Sequence, residues 1–371
     1  MRTNYKLFII ALLGLGLHVQ AQEVGLKDVL GRYFLVGTSL NQWQSSLRDF
    51  QAAPVVEHHF NAVVAENVMK VDALQPASGD FDFHHADEIA DFCKQRQLTL
   101  IGHCLVWHSQ VPAWFFVDKQ GQTVGREELI ARIKNHIATV VGRYRGRVRG
   151  WDVVNEAFLD DGRMRPSPLY NIIGEDFIEI AFRAAHEADP DAELYYNDYS
   201  MALPQKRAAV CRMVRRLKEK GVRIDAVGMQ SHVGLDYPSL ADYEASIDSF
   251  AACGVKVMIT ELDINVLPNP MEFGGAGVEQ DFAYQQRWNP YADGLPQEKA
   301  MELEQRWLDL FDIYRRHAAQ ISRVNLWGIA DHNSWLNNWP IHGRTNYPLL
   351  FDRQYKEKPV VRKIISLFEC F

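Results

Sequence analysis

The sequence is poor in cysteine: five in 371 residues, an odd count that leaves at least one thiol free. Cys93, Cys104, Cys211, Cys253 and Cys370 show no metal-ligand spacing, and no disulfide pair is identifiable among them. Cys93, Cys211 and Cys253 fall in helical patterns and are expected to pack as small apolar groups. A chain of this length buries enough surface to need neither disulfides nor a structural metal. Basic residues are not in excess either. Lys and Arg number 40 against 47 Asp and Glu, and the formal net charge is −7, which argues against a polyanionic partner such as nucleic acid. The longest apolar run, Leu7 to Leu17, is about 11 residues, well short of the roughly 20 that span a bilayer. There is no Gly-rich phosphate turn after the first strand-like run, since Gly37-Thr38-Ser39-Leu40 lacks the spacing. No linker, repeat or low-complexity tract divides the chain.

The short apolar run has a meaning of its own. Arg2 and Lys6 precede it, and Val19-Gln20-Ala21 follows as a small-x-small cleavage site. Residues 1–21 therefore read as an export signal, with a mature domain over 22–371 and a periplasmic or extracellular destination. Removing Arg2 and Lys6 takes away two positive charges and no negative one, so the mature chain is more acidic still. No membrane span is expected after cleavage, and a monomer is the expected state.

What the chain does contain is one pattern repeated. Strand-like apolar runs occur at Phe34–Leu40, Ala62–Asn67, Leu98–Trp107, Val148–Asn155, Glu193–Asp198, Ala226–Ser231, Val257–Asp263 and Val324–Ala330. Between them lie amphipathic helical patterns at Ala86–Gln97, Glu127–Tyr144, Phe177–Ala188, Arg207–Lys220, Tyr243–Cys253 and Lys299–His317, with Pro359–Phe368 last. Several stop at Gly221, Gly254 or Asp189-Pro190, as helices do. Eight alternating units predict a single (β/α)₈ barrel. Long loops follow the seventh and eighth runs. The first, Asn265 to Gln297, carries Phe273, Phe282, Tyr284, Trp288 and Tyr291. The second, Asp331 to Tyr355, carries Trp335 and Trp339. Aromatic loops at a barrel mouth suit stacking against sugar rings, although some of these side chains serve only to pack the loop down.

Two of the runs end in acids. Trp151-Asp152-Val153-Val154-Asn155-Glu156 and Val257-Met258-Ile259-Thr260-Glu261 each place a glutamate where such barrels carry their chemistry. A lone strand-end glutamate is more often a salt-bridge or capping residue. A pair at one mouth is what glycosidic cleavage needs: one protonated carboxyl for the leaving oxygen, one ionised carboxylate for the sugar or for water. The neighbours fit. Asn155 can bond a sugar 2-hydroxyl. His232, in Gln230-Ser231-His232, can bridge Glu261 and Asp263 and hold Glu261 ionised. Further polar groups close the run at Glu66-Asn67 and at Gly102 through Gln110.

These stretches resemble glycoside hydrolase family 10, the endo-β-1,4-xylanases, over nearly all of the chain after residue 21. The resemblance is carried by Phe60-Asn61, Glu66-Asn67 with Met69-Lys70, and His103-Cys104-Leu105-Val106-Trp107-His108. It continues in Trp151 to Ala157, Tyr196-Asn197-Asp198-Tyr199, Gly228 to His232, Ile259 to Asp263, and Trp327-Gly328 through Ser334-Trp335. It implies hydrolysis of xylan with retention of configuration. Glu261 would be the nucleophile, Glu156 the acid and then the base, and His232 the residue that tunes Glu261, with Asp263 behind it. Glu66, Asn67, Lys70, His103, Trp107, Gln230, Trp327 and Trp335 would line the glycone side, Asn155 would hold the 2-hydroxyl, and Tyr199 would flank the leaving side. No cofactor or metal is implied. Three departures bear on subsite affinity and branch tolerance: Cys104 where the family often has Thr, Leu336 where it often has Arg, and a longer loop after the seventh strand.

Three rival readings remain. A related barrel glycosidase could act on β-glucan, mannan or galactan. A metal-dependent hydrolase would use His103, His108, His232 and Asp263 as ligands. A sugar-binding module would have lost catalysis, although both glutamates are present.

Overall fold

The computed structural model describes residues 24–270 and 277–369. The expected export segment 1–21, Phe273 and Cys370 lie outside them. Eight parallel strands form the frame: β1 (Leu35–Leu40), β2 (Ala62–Ala65), β3 (Thr99–Val106), β4 (Val148–Asn155), β5 (Glu193–Asp198), β6 (Ala226–Met229), β7 (Lys256–Asn265) and β8 (Ile321–Leu326). Each pairs with the next in sequence. β8 returns to β1, with Leu35 opposite Arg323 and Thr38 opposite Leu326, so the sheet closes on itself. Closure removes both sheet edges and leaves every strand buried on two faces, which is why the runs read as continuously apolar.

The expected helices form within a few residues of their sequence bounds. In His84–Gln95, Ala86, Ile89, Ala90 and Cys93 face the sheet. In Arg126–Arg143, Leu129, Ile133, Ile137, Val140 and Val141 do so. Spacing of three and four residues puts these side chains on one stripe. Shorter helices carried too few turns for a periodicity to emerge: Leu26–Leu30, Ala52–His59 and Pro168–Ile173. The last helix, Val360–Glu369, meets the chain's first described helix, and Phe368 packs edge-on against Phe34 at the seam between β8 and β1.

Three strand ends differ from expectation, each for a local reason. β8 spans Ile321–Leu326 rather than Val324–Ala330. Its start was disguised by Arg323, a buried cation at the barrel floor. Ile329 and Ala330 are apolar because the next loop covers them, not because they pair in the barrel. β2 stops at Ala65, so Glu66 and Asn67 belong to the turn, although the Glu66 amide still donates to the Leu40 carbonyl at 3.0 Å. The sixth run breaks after Met229. Ser231 takes a left-handed φ of 65°, and His232–Gly234 restarts as a short strand with His232 opposite Asp263 on β7. That break turns the His232 ring toward the acids of β7.

Close packing dictates two glycines. A Cβ on Gly102 would lie 2.0 Å from the Trp151 indole, and one on Gly228 would lie 2.5 Å from Asn197 Oδ1. The first lets β3 and β4 seat the buried tryptophan. The second leaves room for an amide that the site uses. The barrel interior is filled by Val64, Ile101, Tyr195, Ala226, Met258 and Trp327, a cluster separate from the main core between sheet and helices. Trp327 caps this plug from above and forms the floor of the mouth. The four described cysteines, Cys93, Cys104, Cys211 and Cys253, are buried and free. No helix among the described residues is long and apolar enough to cross a membrane.

Candidate active site

The carboxyl ends of the strands converge on one polar cluster above Trp327. Register shifts after His103 in the β3–β4 ladder, after Asp152 in β4–β5 and after Ile259 in β7–β8 fall toward this end. Such irregularities re-aim side chains, and here they gather His103, Asp152, Asn155, Glu156 and Glu261.

Glu156 follows the last residue of β4 with a left-handed φ of 58°. Few non-glycine residues adopt that conformation without support from their surroundings. The support is visible: its amide donates to the Asn197 carbonyl at 2.9 Å, and Arg165 Nε donates to its own carbonyl at 3.0 Å. Its carboxylate accepts from Trp107 Nε1 at 2.8 Å, Gln230 Nε2 at 2.8 Å and Asn155 Nδ2 at 3.2 Å. Burial raises its pKa above the ordinary glutamate value, and the charges of Asp198 and Glu261 push the same way. The Gln230 and Trp107 hydrogen bonds offset only part of this.

Glu261 lies inside β7 and is as buried as Glu156, each 4 % exposed. One oxygen accepts from Asn197 Nδ2 at 2.7 Å, and the other is 3.1 Å from His232 Nε2. His232 Nδ1 is 2.9 Å from Asp263 Oδ1, and Asp263 Oδ2 accepts from Trp335 Nε1 at 2.7 Å. Burial alone would raise the pKa of Glu261. The His232 hydrogen bond, the fields of His103 and His232 and the Asn197 amide together hold it below the usual range. Burial disfavours a charged His232, yet Asp263 and then Glu261 lift its pKa to about 10. The imidazolium thus donates from both nitrogens.

The two carboxylates are linked by amides. Asn197 Nδ2 donates to both Glu261 and Asn155 Oδ1, the latter at 3.0 Å, and Asn155 donates on to Glu156. Thr260 Oγ1 fixes the amide by donating to Asn197 Oδ1 at 2.6 Å. On one flank, Lys70 Nζ donates to Asn67 Oδ1 at 2.9 Å and to Gln110 Oε1 at 2.7 Å, and lies 4.9 Å from the Trp107 ring centre. Glu66 stands beside it. Burial raises the Glu66 pKa, against the Lys70 charge and the Asn67 hydrogen bond. His103 pairs with Asp152 at 2.9 Å and meets Trp327 edge-on. On the other flank, Tyr199 accepts from Arg165 at 2.6 Å and borders a pocket of 520 Å³ reaching His232, Asp263, Tyr291 and Trp339. Trp335 stacks on Trp339 with ring centres 4.3 Å apart, and Leu336 lines the same pocket as Trp339. A larger cavity of 690 Å³ sits behind the β4 loop, against helices Asp176–Ala188 and Pro204–Glu219, and touches neither glutamate.

The candidate site residues Glu66, Asn67, Lys70, His103, Trp107, Asn155, Glu156, Tyr199, Gln230, His232, Glu261, Asp263, Trp327 and Trp335 therefore surround this mouth. Of the four histidines and acids that a metal reading would use, His103 is engaged by Asp152, and His232 by Glu261 and Asp263. His108 lies 3.9 Å from Glu156, with its pKa pushed down to about 3 by burial and by Arg165 and Lys206. Sequence reasoning included Asn197 and Gln110 in polar stretches without giving either a role, and passed over Arg165. The first two were legible as polar residues inside or just beyond apolar runs. Arg165 reaches back from the β4 loop and left no local signal. In that loop after β7, Tyr284 is exposed, whereas Tyr291 borders the pocket.

A parallel barrel with two buried carboxylates at one mouth, one held ionised and one driven toward its protonated form, is the arrangement of a glycoside hydrolase. Comparison with known proteins agrees and narrows the class. The family model "Glycosyl hydrolase family 10" matches residues 25–367. An endo-1,4-beta-xylanase A of Xylanibacter ruminicola is 53% identical over 98% of both chains. An endo-1,4-beta-xylanase of Geobacillus stearothermophilus is 39% identical over 92% of this chain and 98% of its own. A solved family 10 endoxylanase retrieved from a sugarcane soil metagenome superposes with a TM-score of 0.90 at 44% identity, over 92% of this chain and all of its own. The chain belongs to glycosyl hydrolase family 10.

Proposed function

We propose that this enzyme hydrolyses internal β-1,4-xylosidic bonds of xylan with retention of anomeric configuration. The observation that carries the reading is the opposite electrostatic treatment of two equally buried acids, Glu156 upward and Glu261 downward. The relatives named above, all endoxylanases, support xylan as the polymer.

In the first step the ionised Glu261 attacks the anomeric carbon, and the C–O bond to the leaving sugar breaks. Glu156 gives its proton to the departing oxygen. The product is a glycosyl ester on Glu261. That ester masks the Glu261 charge, one of the causes raising the pKa of Glu156, so Glu156 becomes a better base. It then takes a proton from water, which attacks the same carbon and releases the sugar with its original configuration. This route calls for carboxyl groups roughly 5–5.5 Å apart. His232, charged and held by Asp263, stabilises the leaving carboxylate of Glu261 in the second step. Lys70, Asn67, Glu66, Gln110 and Trp107 bind the glycone, His103 and Trp327 line its floor, and Trp335 forms its wall. Asn155 meets the 2-hydroxyl. Tyr199, with the pocket beyond it, takes the leaving side. Export through cleavage after Ala21 is part of the proposal and is checked by sequencing the mature N-terminus.

Product analysis on xylan, mixed-linkage β-glucan and β-mannan tests the reading, with anomers followed by NMR. Short xylo-oligosaccharides released first as β-anomers are expected. Release only from glucan or mannan would overturn the substrate, and first-formed α-anomers would overturn the mechanism.

A further inference from the structure

Lys206 is a lysine with no exposed surface, in the first turn of helix Pro204–Glu219. Both features oppose it. Burial penalises the ammonium, and a helix N-terminus repels positive charge. What compensates is concentrated behind Glu156. Lys206 Nζ lies 2.7 Å from Asp198 Oδ1, 3.5 Å from Asp160 and 3.7 Å from the centre of the Tyr199 ring. Asp198, equally unexposed, also accepts from the Tyr196 hydroxyl at 2.5 Å and from the Tyr199 amide at 2.9 Å. The Tyr196 oxygen in turn accepts from the amide of Ala157 at 3.1 Å, the peptide that immediately follows Glu156. A chain of contacts thus runs from a buried ion pair to the backbone that holds the acid in its left-handed conformation.

We propose that the Lys206–Asp198 pair is a positioning device for acid catalysis: through Tyr196 it fixes the Glu156 turn, and through the Asp198 charge it keeps the proton on Glu156. The inference rests on Glu156 being the proton donor of the proposed reaction. The other groups around Glu156 do not replace Asp198. Glu261 is charged only until the glycosyl ester forms. His108 is neutral at working pH, and Arg165 engages the Glu156 carbonyl rather than its carboxylate. Burial raises the Asp198 pKa, and the charge and hydrogen bond of Lys206 are the largest causes opposing it, so its cation is partly spent on that carboxylate and on the Tyr199 ring.

The test compares Asp198→Asn, Lys206→Met and the double variant, which removes both buried charges and guards against a misfolded single change. Two readouts are taken. The first is the carboxyl titration of Glu156 by NMR on ¹³C-glutamate-labelled protein, assigned with Glu156→Gln. The second is kcat/KM against pH on xylohexaose and on an aryl β-xylobioside whose leaving group needs no proton. The expected result is a Glu156 titration lower by about one pH unit in Asp198→Asn and in the double variant. The alkaline limb on xylohexaose moves with it, and the loss is smaller on the aryl substrate. Lys206→Met moves the limb the same way, because a buried Asp198 without its cation takes up a proton. An unchanged Glu156 titration in the folded double variant, with both substrates slowed equally at every pH, would show a purely structural pair and overturn the proposal. So would an upward shift in Lys206→Met. The titration needs no substrate, so a wild-type enzyme inactive on xylohexaose would overturn the functional reading alone.

Discussion

The mouths of β4 and β7 hold the same side chain at the same depth, yet they treat it in opposite ways. Glu156 accepts three hydrogen bonds from neutral donors, and Glu261 accepts from one neutral amide and one imidazolium. Counting bonds would make Glu156 the more acidic group. Charge decides otherwise. Glu156 faces Asp198 and Glu261, while Glu261 faces His232 and His103. In a buried site the sign of the nearby charges outweighs the number of dipoles, because low dielectric strengthens the Coulomb term. The difference between the two acids is made one layer out, by Asp263 on one side and Lys206–Asp198 on the other.

The comparison can be broken most completely at the nucleophile. Glu261→Ala should lose on the order of 10⁵-fold in xylan turnover with the fold intact by circular dichroism; reducing-sugar release at the wild-type rate would end the assignment. Glu156→Ala should cost about 10²–10⁴-fold on xylan, and far less in the glycosylation step of an aryl xylobioside with a good leaving group. Equal losses on the two substrates, seen in pre-steady-state kinetics, would remove the acid role. His232→Gln takes away the cation beside Glu261, so the Glu261 pKa rises and the acidic limb of kcat/KM moves to higher pH, by about one unit. An unmoved acidic limb would mean that His232 does not set the Glu261 charge.

The same histidine sharpens the comparison through stability. Its pKa is 6.5 in the reference state and about 10 in the folded site. Below pH 6.5 both folded and unfolded chains carry the proton, and the stabilisation is fully present. As pH rises toward 10 the unfolded chain gives up its proton first, and the advantage shrinks to nothing. The urea midpoint of wild type relative to His232→Gln should therefore fall between pH 6 and pH 10, and a constant gap would contradict it. The smallest effect on the site is expected from Gly102→Ala. It should cost about 1–3 kcal/mol by overpacking against Trp151 while leaving the pH profile in place. Chemical denaturation alongside a pH–rate curve checks both halves.

Much of this was legible along the chain. The apolar runs are continuous because a closed parallel barrel buries both faces of each strand, and the helices announce themselves by the stripe they turn to the sheet. Glu156 and Glu261 stand out as charges at the ends of runs that otherwise exclude charge. The errors came where local pattern and burial disagree. Arg323 hid the start of β8, and Ile329 and Ala330 imitated a strand because a loop covers them. Short helices such as Leu26–Leu30 have too little periodicity to be heard.

The barrel, the two acids and the polar groups around them can be read from the order of residues, since alternation and strand-end chemistry are local properties. What distinguishes the acids arises in the folded chain. The break at Ser231 that aims His232, the Asn155–Asn197 bridge between carboxylates, and the burial of Lys206 beside Asp198 join residues far apart in the chain. Their effect depends on distance and dielectric, and neither is written in the order of residues.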